Sequence, residues 1–327
     1  MAVKNLDYKC YVDAVSMQLE YQEDWLRYGY APKGFYLKDF CLIRSGEVFH
    51  LYHIAGTPGV SCCLPGNELW FGHATTRDFL TWETHEPCFY IDPNSWESGH
   101  VFAPYVIYAK ERYWMYYTGV SIDNTQRIGV AVSDDLFTWE RAVYAPVIRP
   151  ELYGWAFCPT ERGAACRDPH VMLHGSEYLM YYTAVTKAGK GCVACASSTD
   201  LVNWEDRGPV FVSGESAHCE SSNVQEIDGA YLLFFGGHYE YWSYVKSDDP
   251  LDWKGREVIP LKRGITAMEV IARKSSKWLV AYFKFDAYRL FTGILDWSAD
   301  VPGIRQVEQP ETLLPFLDDE DNLKEKV

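Results

Sequence analysis

The sequence predicts an all-β chain, a five-bladed β-propeller with four-stranded antiparallel blades around a central funnel. One phrase returns five times, a strand-like run followed by a small or acidic segment that closes on a tryptophan. The copies read GHATTRDFLTW to Trp82, IGVAVSDDLFTW to Trp139, VACASSTDLVNW to Trp204, YVKSDDPLDW to Trp253 and a degraded LFTGILDW to Trp297. The tryptophans are 57, 65, 49 and 44 residues apart, and a multi-stranded repeat of about 40–50 residues is the signature of a propeller blade. Each phrase also follows an apolar, aromatic run: EVFHLYHIAG, RYWMYYTG, EYLMYYTA, AYLLFFGG and KWLVAYFK.

Residues 1–34 precede the first repeat. DAVSMQLEYQEDWLRYG has apolar residues at roughly helical spacing and stops at a glycine, so it reads as a short helix or as a strand that closes the ring. The propeller is expected over 35–300. In each blade the innermost strand comes first (FCLIRS, YVIYAK, PHVMLH, NVQEI, EVIARK), then the aromatic run. The third strand carries GHATT, IGVAVS, CVACAS, YWSYVKS or RLFTGIL, and the fourth follows the tryptophan, as in PCFYI, APVIRP and GPVFVS. Ser45-Gly46, His174-Gly175-Ser176 and Asp228-Gly229 supply turns. Residues 301–327 form a closing segment and a tail with the acidic run DDED.

Composition narrows the function. The net charge of −15 repels phosphate backbones and anionic lipids, so neither nucleic acid nor a membrane is an expected partner. The opening MAVKNLDYKC lacks an apolar leader, and no run reaches about 18 apolar residues; a cytoplasmic location is the expectation. The ten cysteines suit reducing conditions as small buried hydrophobes. Cys192 and Cys195 form a C-x-x-C, but i and i+3 of a strand face opposite sides. Oligomeric state is not readable.

Aligning the repeats on their second strands brings the starts of the innermost strands to equivalent places. Blade 3 offers Arg167-Asp168-Pro169, blade 4 Glu220-Ser221-Ser222, blade 2 Ala103-Pro104 and blade 5 Met268-Glu269; blade 1 offers Lys38-Asp39-Phe40 with a shift of about one residue. Asp39, Asp168, Glu220 and Glu269 would then share one axial cavity. Acids at strand starts also cap turns, but three from three blades in one register point to catalysis. Crowded carboxylates drive their pKa values apart, which lets one serve as acid and another as base or nucleophile.

These residues carry a resemblance to the five-bladed propeller glycosidases of glycoside hydrolase families 32 and 43, with family 68 and relatives. FGHATTRDFLTWE resembles the first-blade stretch of family 32 fructosidases, RDPHVMLHGSEYLMYYTA their R-D-P block, and CESSNVQEIDGAYLLFFGG their acid/base block. HVFAPYVIYAKERYWMYYTG is similar to the W-A-P region of family 43. The resemblance implies that Asp39 is nucleophile (family 32) or general base (family 43), that Asp168 stabilises the transition state, and that Glu220 is the acid or acid/base. Arg167 would bond sugar hydroxyls through its planar fork. The chain departs from family 32 in three ways. KDFCL stands where N-D-P-N-G is usual, the E-C pair is inverted to Cys219-Glu220, and the usual C-terminal β-sandwich has no counterpart in these residues.

Loop residues near the axis are the expected sugar contacts: Trp70, Trp96, Glu97, His100, Trp155, His170, Asn223, His238 and Trp242, with Glu269 and Arg289 as further contacts. The repeated tryptophans read as blade packing. Some family 43 enzymes hold an axial calcium through a fifth-blade histidine, but no histidine follows His238, so neither a metal nor a cofactor is expected. The expected activity is hydrolysis of a terminal furanosyl residue, fructo- or arabino-, from a small oligosaccharide. The alternatives are a non-catalytic sugar-binding propeller, or a glycan phosphorylase or transglycosylase on the same scaffold.

Overall fold

The computed structural model describes residues 19–21, 25–157, 165–213, 219–238, 241–284, 286–299 and 301–317. Five antiparallel sheets form the blades. Blade 1 holds β2 (Tyr36–Ser45), β3 (Val48–Gly56), β4 (Trp70–Thr76) and β5 (Thr81–Tyr90), with β1 (Leu19–Tyr21) added outside β5. Blade 2 holds β6 (His100–Ala109), β7 (Arg112–Val120), β8 (Gln126–Ser133) and β9 (Glu140–Arg141). Blade 3 runs β10 (Cys166–His174), β11 (Glu177–Val185), β12 (Gly191–Ser198) and β13 (Glu205–Val212). Blade 4 runs β14 (Glu220–Ile227), β15 (Ala230–His238), β16 (Tyr241–Ser247) and β17 (Ile259–Arg263). Blade 5 runs β18 (Thr266–Lys274), β19 (Lys277–Lys284), β20 (Arg289–Asp296) and β21 (Gly303–Gln306). The innermost strands touch in cyclic order β2, β6, β10, β14, β18 and back to β2, which closes the ring.

The repeated phrase is a turn and a seam at once. In three copies Asp78, Asp135 and Asp200 each accept two amides from the residues two and three further on, at 2.7–2.9 Å. Three of the tryptophans bond back into this turn, Trp82 to Phe79 O, Trp204 to Leu201 O and Trp253 to Pro250 O. The preceding blade then reaches across. Tyr52, Tyr116 and Tyr181 donate to the turn carbonyls of Leu136, Leu201 and Pro250 in the next blade at 2.6–2.8 Å. Tyr52 and Tyr116 also meet Trp139 and Trp204 edge to face, the favoured aromatic geometry.

The fifth seam is built differently. Ala281 stands where the other blades carry Tyr or Phe, as its pairing with Glu269 shows. The ring against Trp82 is Tyr30 of the N-terminal segment, stacked at 4.2 Å. Tyr30 also bridges Leu290 of blade 5. One helical turn, α1 (Trp25–Tyr28), leads into it and ends at Gly29, whose φ of +77° suits glycine; a Cβ there would lie 2.8 Å from the Phe291 ring. Helix and seam strap thus both occur before residue 35, although residues 1–18 and 22–24 lie outside the described residues.

Two boundaries differ from the sequence reading. The last strand of blade 5, Gly303–Gln306, extends the propeller beyond residue 300. In blade 2 the fourth strand is Glu140–Arg141, directly after Trp139; in APVIRP only Ile148 bridges, to Ile128. Pro146 and Pro150 have no N–H to donate to a ladder. Cys192 and Cys195 are free thiols buried in β12. No described helix is long and apolar enough to cross a membrane.

Candidate active site

Every innermost strand carries the same defect near its start. Its ladder to the second strand slips between Lys38 and Phe40, Phe102 and Tyr105, Arg167 and His170, Glu220 and Asn223, and Thr266 and Glu269. Each slip holds one residue at positive φ: Asp39 at +32°, Ala103 at +46°, Asp168 at +59°, Ser221 at +53° and Ala267 at +49°. A bulge of this kind leaves one residue unpaired, bends the strand and re-aims side chains. The bulge residues and the two that follow, or in blade 1 only Phe40, line an axial cavity of about 40 Å³, room for a few waters at most.

This register removes the one-residue shift read for blade 1 and keeps the alignment of blades 3 and 4. Asp39 is equivalent to Asp168 with no shift. Glu220 comes one residue before its bulge, the place of Arg167 in blade 3, and Glu269 comes two residues after its own.

The acids are tightly linked. Asp168 Oδ2 accepts from the Thr183 hydroxyl at 2.8 Å and from the Ser221 amide at 2.9 Å. Arg167 Nε lies 3.6 Å from the same oxygen, and Arg167 Nη2 donates to Glu220 Oε1 at 2.6 Å. One guanidinium thus spans two carboxylates. Burial raises the pKa of Asp168; Arg167 opposes this, and the Glu220 charge adds to it. The carboxyl of Asp39 is pushed up to about 7, first by burial, while Lys38 opposes and Asp168, Glu220 and Glu68 add. These three acids therefore sense one another.

The expected sugar contacts divide. His170, Asn223 and Glu269 line the axial cavity, and Arg167 lies against Asp168 and Glu220. His170 Nε2 donates to Val224 O at 3.2 Å, the Asn223 amide oxygen accepts from Gln225, and Glu269 Oε2 accepts from the Leu42 amide at 3.0 Å. His100 is buried and donates to Asn67 O at 2.9 Å. Trp70 is packed between Phe35 and Tyr90. Trp96 stacks on Tyr117 and fills the space over Gly119. Packing therefore takes up both rings. Arg289 donates to Gly29 O and ties blade 5 to the N-terminal strap. Trp155 donates to Asp206, Trp242 is fully buried, and Glu97 is buried against Tyr117 and Arg141. The side chain of His238 lies outside the described residues.

Several site residues escaped the sequence reading. Thr183 serves Asp168, and Thr118 Oγ1 accepts the Asp168 amide at 3.2 Å. Both end the same aromatic run, YYTG and YYTA, so their repetition was a usable signal. Lys38, Glu68, Tyr36 and Asn67 had none. Among the described residues, no group of three or more His, Cys, Asp or Glu is placed to hold a metal ion.

A closed ring of five blades, with Asp39 and Asp168 on its axial cavity and Glu220 tied to Asp168 through Arg167, defines the class: a five-bladed propeller with a cluster of carboxylates at its axis. The family model described as the glycosyl hydrolases family 32 N-terminal domain matches residues 40–244. The chain belongs to that family. It is 26% identical over 255 residues to a sucrose-6-phosphate hydrolase of Vibrio alginolyticus, across 75% of this chain and 48% of that protein. The chain thus spans about half the length of that relative. Its fold is similar to that of a Bombyx mori family 32 β-fructofuranosidase variant in complex with sucrose, with a TM-score of 0.69 and 15% identity over 94% of this chain and 70% of that one. It is also similar to a thermostable family 43 glycoside hydrolase, with a TM-score of 0.62 and 16% identity over 85% and 95%.

Proposed function

We propose that the protein is a glycosidase that removes a terminal fructosyl residue from a small oligosaccharide, with Asp39, Asp168 and Glu220 as its catalytic carboxylates. The observation that carries this reading is the meeting of three carboxylates from three different blades, the first, third and fourth, in one charge network. Asp39 and Asp168 sit on equivalent bulges, and Arg167 joins Asp168 to Glu220. Membership of family 32 favours Asp39 as nucleophile over general base.

In this mechanism Glu220 protonates the glycosidic oxygen as the anomeric carbon becomes oxocarbenium-like. Asp39 attacks that carbon from the opposite face. Water then hydrolyses the ester, with Glu220 as base, so the anomeric configuration is retained. Asp168, fixed by Thr183 and the Ser221 amide, bonds ring hydroxyls and stabilises the developing positive charge. Arg167 leaves Glu220 for a substrate hydroxyl as the acid takes up its proton.

The panel for the test is sucrose, sucrose 6-phosphate, 1-kestose and an aryl arabinofuranoside, with the product anomer read by NMR. Release of fructose with retention is the expected result. Cleavage of the arabinoside alone overturns the substrate assignment, and inversion removes Asp39 as nucleophile. Sugar binding without turnover turns the reading to a carbohydrate-binding propeller.

A further inference from the structure

Asp39 is preceded by a buried lysine. Lys38 is 7% exposed, and its Nζ lies 3.0 Å from Glu68 Oε1 and 3.9 Å from Cys63 Sγ. The Phe102 ring centroid is 5.0 Å from the ammonium. Glu68, in the loop between β3 and β4, is fully buried. It accepts from the Tyr36 hydroxyl at 2.7 Å on Oε1 and from the Cys63 amide at 2.9 Å on Oε2. Asn67 in turn donates to the Tyr36 oxygen at 2.8 Å. A buried ammonium keeps its charge only with fixed counter-charges around it. Here the carboxylate is itself clamped by two donors besides the lysine.

We propose that Lys38, the buried ammonium next to Asp39 in the chain, is the positioning residue that favours the ionised form of the Asp39 carboxylate in an acid-rich site, and that Glu68, 3.0 Å from it, holds Lys38 in place for this task. The proposal rests on the reading of Asp39 as nucleophile. Asp39 senses the charges of Arg167 and Asp168 on β10, Glu220 on β14 and Glu68 on its loop, and it shares the axial cavity with Glu269 of β18. Lys38 senses Cys63, His100 and Tyr288 besides the acids. Burial acts to lower the pKa of Lys38, but Asp39 and Glu68 outweigh it and hold the group cationic. The two members of the ion pair then act on Asp39 with opposite sign. Lys38 pulls its pKa down, and Glu68 pushes it up.

That opposition is the test. The acid limb of kcat/KM is recorded for the wild-type protein and for Lys38→Met and Glu68→Gln, on the fructoside cleaved fastest in the panel above. Lys38→Met is expected to move the limb up by about one pH unit or more, so that kcat/KM at pH 6 falls at least about tenfold while the value at pH 8.5 recovers toward wild type. Glu68→Gln is expected to move the limb down. Lys38→Arg keeps the charge and leaves the limb near its wild-type position; Lys38→Gln replaces the Met variant if that chain does not fold. A limb that stays in place in folded variants, or that moves the same way for both partners, overturns the proposal. Asp39→Asn separates the two readings: an active Asp39→Asn removes the nucleophile assignment itself, whereas an inactive one with unmoved limbs removes only the role of Lys38.

Discussion

Blades 2 and 5 repeat the backbone of blades 1 and 3 at the axis without their chemistry. Ala103 and Ala267 hold left-handed φ of +46° and +49°, as Asp39 and Asp168 do at +32° and +59°. A residue other than glycine in this region is strained by about 1–2 kcal/mol, and such strain often marks an active site. Here all five blades carry it, so the strain belongs to the architecture. One extra residue bends each inner strand where the five converge. What separates the blades is the side chain placed on a shared support.

The comparison predicts a steep division between equivalent positions. Asp39→Asn, Asp168→Asn and Glu220→Gln are each expected to lower kcat by about a thousandfold or more, with far-UV CD unchanged. Ala103→Gly and Ala267→Gly should keep kcat within about threefold, because an alanine supplies no group to the reaction. A comparable loss in an alanine variant breaks the distinction between support and chemistry.

Stability should move the other way at Asp39. Its folded-state pKa is raised, so ionisation costs folded-state stability as pH rises through about 4 to 7. Asp39→Asn removes that cost and should raise Tm by about 2–4 °C at pH 8. The gain should fade toward pH 4, where folded and unfolded wild-type chains are both protonated. A gain independent of pH means that the carboxylate is not the source of the strain.

A smaller effect is expected one shell out. Thr183→Val removes a donor from Asp168 and should lower kcat about tenfold. It should also raise the pKa of Asp168 further, shifting the pH profile upward. The smallest effect falls on the stability of the alanine bulges. Glycine relieves the left-handed strain but loses more chain entropy on folding, so Tm should change by less than about 2 °C in a thermal scan.

Much of this was legible in the chain. The acidic turn and its tryptophan recur because each blade needs the same turn, and the preceding blade needs a carbonyl and a ring to dock on. Asp168 stood out because Arg167-Asp168-Pro169 aligns without a gap with blade 2. Asp39 was found with an apparent offset, which the ladders remove: Cys41 pairs with Tyr52 as His170 pairs with Tyr181. Trp70 and Trp96, expected as sugar contacts, make packing contacts with Phe35, Tyr90 and Tyr117. A tryptophan that stacks on a sugar and one that fills a gap over Gly119 have the same local sequence signature.

The sequence by itself determined the number of blades, their order and the acids at their inner strands. These follow from local periodicity and turn chemistry, which act over a few residues. Only the tertiary structure decided which groups surround those acids. Lys38 meets Glu68 across 30 residues, Glu269 meets Leu42 across 227, and Tyr30 fills the seam that Ala281 leaves open. Ring closure brings such groups together, and neighbours made by closure leave no periodic trace in the chain.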